Sequence, residues 1–136
     1  VLVASPAYLE ARGPPHRPED LGGHTTISGA GPSAQVEWRF SVDGLPRSQP
    51  VVPRMRTTSN DSAISAALAG LGIARLLSYQ AAPHVAAGTV VPVLQAFESP
   101  PVPIHVVHHE GRRATQKVRN FVDMAVESLR ADPALR

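Results

Sequence analysis

Residues 60–77 of this 136-residue chain read NDSAISAALAGLGIARLL, and this stretch decides the fold class. Apolar residues recur at helical spacing, so residues 60–71 are predicted to form an amphipathic helix that Gly72 ends. The predicted buried stripe consists of Ile64, Ala67, Leu68 and Leu71. Residues 73–77 then predict a short buried strand. A helix that passes directly into a buried strand is typical of α/β proteins.

Upstream of this unit, shorter patterns continue the alternation of strands and helices. Residues 1–4 predict a buried strand, followed by a helix that Ser5 caps and Pro6 opens. Residues 25–28 predict a second short strand, because threonine and isoleucine favour extended backbone.

A hairpin is predicted between these elements and residue 60. Apolar and polar residues alternate strictly over residues 36–42, as in a half-buried strand, and Asp43 and Gly44 predict a turn. We expect the return strand over residues 51–58, with Pro53 at a sheet edge.

Downstream, residues 79–87 predict a helix that Pro83 delays or bends. Residues 89–97 and 104–109 have strand character, and residues 115–130 predict the longest helix. The apolar stripe of that helix consists of Val118, Phe121, Val122, Ala125 and Leu129. Strands and helices therefore alternate along the chain, which predicts an α/β fold with a mostly parallel sheet.

Composition excludes several classes of function. There are no cysteines, which removes disulfides, thiolate catalysis and cysteine-type zinc sites. The formal net charge is +2, the basic residues are scattered, and only 4% of residues are aromatic, so a nucleic-acid-binding face is not expected. No basic segment precedes the apolar residues 1–5, and no apolar run could span a bilayer. We expect a cytoplasmic protein without a membrane partner.

The sequence gives little support for a metal site or a catalytic site. His105, His108, His109 and Glu110 contain ligating side chains, but no second ligand cluster accompanies them, which favours solvated histidines. Ser33 lacks the spacing of a nucleophile elbow, and the chain contains neither a P-loop nor a dinucleotide fingerprint. No catalytic residue, metal site or cofactor is predicted.

Six segments, taken in order, resemble the C-terminal part of the effector-binding domain of LysR-type transcriptional regulators. They are residues 1–9 (VLVASPAYL), 18–21 (PEDL) with 23–24 (GH), 38–44 (WRFSVDG), 60–74 (NDSAISAALAGLGIA), 88–94 (GTVVPVL) and 117–123 (KVRNFVD). Each segment is a packing or turn pattern, so their order and spacing carry the resemblance.

The resemblance implies a fold like that of the type II periplasmic binding proteins, with two α/β lobes and a ligand cleft between them. Residues 1–90 would form the second lobe, and residues 91–136 a crossover strand and the C-terminal strand and helix of the first lobe. The rest of the first lobe and a winged helix-turn-helix domain would lie outside this chain. The chain departs from the family at Leu77, where a proline is frequent, and at Pro83.

Two segments are candidate ligand contacts. The backbone N–H groups at a helix start favour anions, and Thr58, Ser59 and Asn60 add side-chain donors there. Their alternative role is to cap the helix; the resemblance favours the ligand, because the family's cleft is lined by this helix start.

The second candidate is the end of the strand at residues 25–28. Ligands bind beyond the carboxyl ends of parallel strands, which selects Ile27, Ser28 and Gly29, although an ordinary strand-to-loop turn is equally compatible. Leu76 and Leu77 would form an apolar wall, or else belong to the core.

The resemblance implies an effector-sensing role rather than catalysis. A small molecule, with an anion favoured, would bind between the lobes of a homodimer or tetramer. DNA would be contacted only through the helix-turn-helix domain. The alternatives are a periplasmic solute-binding protein, which an N-terminal helix-turn-helix would exclude, and an enzyme, which would require a paired nucleophile and base.

Overall fold

The computed structural model describes residues 1–29, 36–109 and 115–135, and the chain divides into two compact units. The first unit is Val1–Pro100 and the second is Pro101–Arg136. No helix in the described ranges is long and apolar enough to cross a membrane.

The first unit contains the strands and helices that position the candidate site. Its strands are β1 (Leu2–Ala4), β2 (Thr26–Ser28), β3 (Val36–Val42), β4 (Leu45–Val51), β5 (Met55–Arg56), β6 (Ile73–Arg75) and β7 (Val91–Val93). Its α-helices are α1 (Pro6–Arg12), α2 (Asn60–Leu68) and α3 (Ser78–Ala86). Short 3-10 helices span Pro18–Gly23 and Gln95–Phe97.

Five strands form the central sheet in the order β5-β2-β6-β1-β7. β2 pairs in parallel with both β5 and β6, so that Ile27 lies opposite Met55 on one side and Ala74 on the other. β1 runs antiparallel to both of its neighbours, β6 and β7. All strands of this sheet except β1 therefore run in one direction, and the predicted α/β fold with a largely parallel sheet is confirmed.

Helices and the hairpin cover both faces of this sheet because successive side chains of a strand point to opposite faces. Leu2 and Ile73 belong to one buried cluster, while Val3 and Ala74 belong to the other. The first cluster includes Tyr8, Leu21, Trp38 and Phe40, from α1, the first 3-10 helix and the hairpin. The second includes Ala63, Ile64, Ala67 and Ala81, from α2 and α3. The result is a three-layer arrangement with a thin core on each side of the sheet.

The start of α1 follows the predicted capping chemistry. Ser5 is the N-cap, its Oγ accepts a hydrogen bond from the Tyr8 N–H at 3.3 Å, and Pro6 is the first helical residue. The helix ends at Gly13, which has a φ of 76°, a conformation that glycine adopts without steric cost.

The return strand of the hairpin was predicted wrongly. β4 begins at Leu45, directly after the turn, and the strand expected over residues 51–58 is divided between the end of β4 and the separate strand β5. Asp43 and Gly44 have φ values of 52° and 75°, so they form a two-residue turn that reverses the chain at once. The prolines of β4 are tolerated because β3 and β4 form a sheet of two strands, in which β4 has a free edge.

Two other elements are shorter than predicted, and one begins earlier. α2 ends at Leu68, before Gly70, which has a φ of 75°. β7 covers only Val91–Val93, because Leu94 takes a left-handed conformation with a φ of 56°. α3 begins at Ser78 and runs through Pro83, so this proline does not delay the helix.

The second unit contains α4 (Gln116–Ala131) and a 3-10 turn at Pro133–Leu135. The strand expected at residues 104–109 is not formed, which corrects the prediction. A strand forms only when its backbone is hydrogen-bonded to a neighbouring strand. No described segment of this unit pairs with these residues. The predicted helix is confirmed, but no residue of α4 is buried and Phe121 is 62% exposed.

Candidate functional site

The candidate site lies at the edge of the central sheet where its parallel strands end. Ser28, Arg56 and Arg75 are the last residues of β2, β5 and β6, and α2 and α3 both begin beyond this edge. The carboxyl ends of parallel strands are where α/β proteins bind ligands. Thus Gly29, the segment before α2 and the segment before α3 are brought to one place.

Gly29 and Asn60, both predicted from the sequence, are in direct contact. A Cβ atom added to Gly29 would lie 2.6 Å from Asn60 Oδ1, so the Asn60 side chain occupies the space that a larger residue would need. The Thr57 N–H also donates a hydrogen bond to the Ser28 carbonyl at 3.0 Å. These contacts join the end of β2 to the start of α2.

Gln80 joins the starts of α2 and α3. Its Oε1 accepts hydrogen bonds from Asn60 Nδ2 at 3.1 Å and from the Leu77 N–H at 3.3 Å. The Gln80 N–H in turn donates to the Leu77 carbonyl at 3.0 Å.

The sequence prediction missed Gln80. A glutamine three residues after an N-cap, reaching back to the N-cap N–H, is half of a capping box. The predicted helix began at Tyr79, which displaced Gln80 from that position, and Leu77 at the N-cap provides no side-chain acceptor.

The start of α2 is not closed by a side-chain cap. Ser59 is the N-cap, but its side chain makes no capping hydrogen bond. Its N–H instead donates to Thr57 Oγ1 at 3.1 Å, and Thr57 Oγ1 donates to the Ser59 carbonyl at 3.2 Å. Thr58 and Ser59 are exposed, and Asn60 is half-buried. Ser59 therefore does not provide the side-chain acceptor that usually caps a helix, and the first-turn N–H groups of α2 are the kind of donors that bind an anion.

The remaining predicted contacts differ in accessibility. The Ile27 side chain is fully buried in the cluster under α2, so it can support the site only from beneath. Ser28 is 3% exposed and faces the other side of the sheet. Leu76 is buried in the core, whereas Leu77 is 53% exposed at the start of α3 and can present an apolar wall.

Positive charge lies at the same edge. Arg75 is half-buried, and burial followed by the nearby charge of Arg39 lowers the pKa of its guanidinium. One guanidinium nitrogen of Arg75 donates to the Arg39 carbonyl at 3.4 Å. A partly desolvated arginine attracts anions more strongly than a fully hydrated one, because water screens its field less.

The histidine-rich segment belongs to the second unit. His105, His108 and His109 are exposed, and no group of three possible metal ligands occurs within the described ranges. Glu110 and Ser33 lie outside the described residues.

Comparison with known proteins identifies relatives among transcriptional regulators. An HTH-type transcriptional repressor of Pseudomonas aeruginosa (strain UCBPP-PA14) is 30% identical over 137 residues, covering 99% of this chain and 43% of the relative. An HTH-type transcriptional regulator of Xanthomonas campestris pv. campestris (strain 8004) is 33% identical over 136 residues, covering 96% and 39%. The chain thus spans about two fifths of the length of these curated relatives.

Solved structures show the same fold. The regulatory domain of CrgA, a LysR-type transcriptional regulator from Neisseria meningitidis, matches with a TM-score of 0.77 and 26% identity, over 93% of this chain and 62% of that one. The regulatory domain of AphB in Vibrio vulnificus matches with a TM-score of 0.72 and 25% identity, over 94% and 63%. The family model of the LysR substrate binding domain matches residues 1–130. The chain therefore belongs to the LysR substrate-binding domain family and has its periplasmic-binding-protein-like fold.

Proposed function

We propose that this chain is the effector-sensing part of a transcriptional regulator and binds a small anionic molecule. The observation that carries the proposal is a hydrogen-bonded cluster at the carboxyl edge of the sheet. The Gln80 side chain accepts from the Asn60 side chain and from the Leu77 N–H, and Asn60 packs against Gly29. It occurs in a chain whose relatives are HTH-type transcriptional regulators.

The chemistry of the edge supports an anion. The uncapped first turn of α2 offers backbone N–H donors, and Thr58 and Ser59 are exposed beside it. Leu77 provides an apolar wall at the start of α3. In this proposal the ligand contacts are Gly29, Thr58, Ser59, Asn60 and Leu77, while the buried residues Ile27 and Ser28 hold the end of β2 in place.

In this proposal residues 1–90 form the second lobe of the sensing domain, and residues 91–136 form a crossover strand followed by the C-terminal segment of the first lobe. The ligand binds between the lobes and favours one of their arrangements, which requires a different affinity for each. In a cytoplasmic homodimer or tetramer, this change repositions winged helix-turn-helix domains on DNA. We propose no catalytic role, and the helix-turn-helix relatives favour a regulator over a periplasmic solute-binding protein.

Thermal melting of the complete regulator tests the site. Acetate, succinate and citrate are the probes, since they present one, two and three carboxylates to the start of α2. We expect at least one to raise the melting temperature, because binding to the folded state stabilises it by mass action. Asn60→Ala should abolish that rise.

The matched control is Ser62→Ala, an exposed position on the first turn of the same helix. It should keep the ligand-induced rise. If Asn60→Ala lowers the melting temperature of the free protein but keeps the full rise, Asn60 has only a structural role and the assignment of the site is wrong. If none of the three probes raises the melting temperature, a carboxylate effector is excluded.

A further inference from the structure

A cavity lies at the edge of the central sheet opposite the candidate site, where β2, β5 and β6 begin. It has a volume of about 550 Å³, which is within the roughly 300–1,000 Å³ usual for small-molecule sites. Its principal lining residues are Tyr8 and Arg12 of α1, Thr25 before β2, Arg54 and Met55 at β5, and Leu71 after α2. All of them belong to the first unit.

The wall between α1 and the sheet is held in place by hydrogen bonds around Thr25. The Thr25 N–H donates to the Tyr8 hydroxyl at 2.9 Å, and the Ile73 N–H donates to the Thr25 carbonyl at 2.9 Å. The Tyr8 hydroxyl also lies 3.1 Å from His24 Nδ1. Gly72 packs so closely against the Thr25 carbonyl that no larger residue fits there. The cavity is therefore formed before any ligand arrives, which limits the ordering that binding would cost.

The charge of the lining is one-sided. Arg12 and Arg54 are its charged residues, and both are exposed cations. Within the described part of the chain, neither forms an ion pair with an acidic side chain. Two guanidinium groups on one concave surface favour a carboxylate or a similar anion, which arginine can bind through two parallel hydrogen bonds.

The rest of the lining is apolar and small. Met55 and Leu71 present aliphatic surface, and Leu71 is 53% exposed. Ala7, Ala11 and Ala69 leave room between them for a ligand several carbon atoms long. The surface therefore suits a molecule with an anionic group at one end and a short aliphatic body at the other.

We propose that this cavity is a second ligand site, for an organic anion with a short aliphatic body. It is distinct from the effector site proposed above. α2 separates the two sites: Asn60 begins the helix at one edge of the sheet, and Ala69, which follows its end, lines the cavity at the other. Nine helical residues span about 13 Å, so one small ligand cannot occupy both sites.

Titration calorimetry with hexanoate tests the proposal on the full chain. Hexanoate should bind with a dissociation constant in the millimolar range or below, and its neutral amide, hexanamide, should bind at least about tenfold more weakly. The double variant Arg12→Gln with Arg54→Gln should lose at least about tenfold in hexanoate affinity. Arg47→Gln, which removes the same charge from exposed strand β4, should bind hexanoate as the unchanged chain does.

Two further variants distinguish hexanoate binding in this cavity from binding at the effector site or elsewhere. Ala11→Leu fills the cavity from the exposed side of α1 and should abolish binding without lowering the melting temperature. Asn60→Ala should leave hexanoate binding unchanged, so a failure of the effector-site proposal would not affect this one. Hexanoate binding that survives both the double arginine variant and Ala11→Leu would place the ligand elsewhere and overturn the proposal. An absence of hexanoate binding would overturn it too.

Discussion

Replacing Gly29 by alanine tests the contact that joins β2 to α2. The new methyl group would lie 2.6 Å from Asn60 Oδ1, which is too close for a carbon and an oxygen that are not bonded. The backbone itself accepts alanine, because the φ of Gly29 is not in the left-handed region. Since Oδ1 is the end of a flexible side chain, Asn60 should rotate away and lose its hydrogen bond to Gln80.

The magnitude follows from two opposing contributions. Losing the hydrogen bond between the Asn60 and Gln80 side chains costs about 0.5–1.5 kcal/mol. Alanine in place of glycine recovers about 0.4–1 kcal/mol by restricting the unfolded chain. Gly29→Ala should therefore be neutral or destabilising by up to about 1 kcal/mol. In a chain that already carries Asn60→Ala, only the favourable contribution remains, and Gly29→Ala should stabilise by about 0.4–1 kcal/mol.

Urea denaturation of the unchanged chain, Gly29→Ala, Asn60→Ala and the double variant gives the coupling free energy between positions 29 and 60. We expect a coupling free energy of about 0.5–1.5 kcal/mol, equal to the hydrogen bond that both single variants lose. Gly22→Ala is the matched control, since a Cβ at Gly22 meets no atom within 4 Å and its effect should add to that of Asn60→Ala. If Gly29→Ala is also additive with Asn60→Ala, the Asn60 side chain does not occupy the space beside Gly29 and the reasoning is refuted.

Four further measurements test other parts of the molecule. Thr26→Val should raise the free energy of unfolding in urea by about 1–3 kcal/mol, because the buried Thr26 hydroxyl has no hydrogen-bond partner within the described ranges; a loss of stability would contradict this. Burial, more than the charge of Arg12, lowers the pKa of His24, so the folded state binds fewer protons than the unfolded chain. The melting temperature should therefore fall as the pH drops below about 6.5, and His24→Gln should reduce that fall rather than leave it unchanged. The 136-residue chain should associate with increasing concentration in light scattering, and Phe121→Ser should weaken this association, because Phe121 is 62% exposed; a stable monomer at all concentrations would argue against it. In a gel-shift titration with its own promoter, the same chain should show no sequence-specific binding, since its basic residues are scattered.

Local patterns predicted the elements whose signals lie within a few residues. The cap of α1 at Ser5 and Pro6 is confirmed, as are the turn at Asp43 and Gly44 and the long helix α4. Helical periodicity, capping and turn chemistry depend on neighbours along the chain, so they can be recognised without knowing the fold.

Strand assignments failed where pairing partners decide them. Residues 104–109 have the composition of a strand but no described partner in their unit, and they remain irregular. Residues 51–58 were assigned to one strand, yet Val51 pairs with Val36 in the hairpin, while Met55 pairs with Ile27 in the central sheet. An apolar run specifies extended backbone, but only its hydrogen-bonding partner specifies which sheet it joins.

The sequence by itself determined the fold class, the family resemblance and two of the three segments from which the candidate site is built. Only the tertiary structure decided which side chains meet there: Gly29 against Asn60, Asn60 to Gln80, and Leu77 exposed where Leu76 is buried. It also separated Ile27, which packs in the core, from Thr58, Ser59 and Leu77, which are exposed. The physical reason is distance along the chain. Helix and turn preferences depend on residues a few positions apart, whereas the contact between Asn60 and Gln80 joins residues 20 positions apart and exists only once the parallel strands have placed both helix starts at one edge.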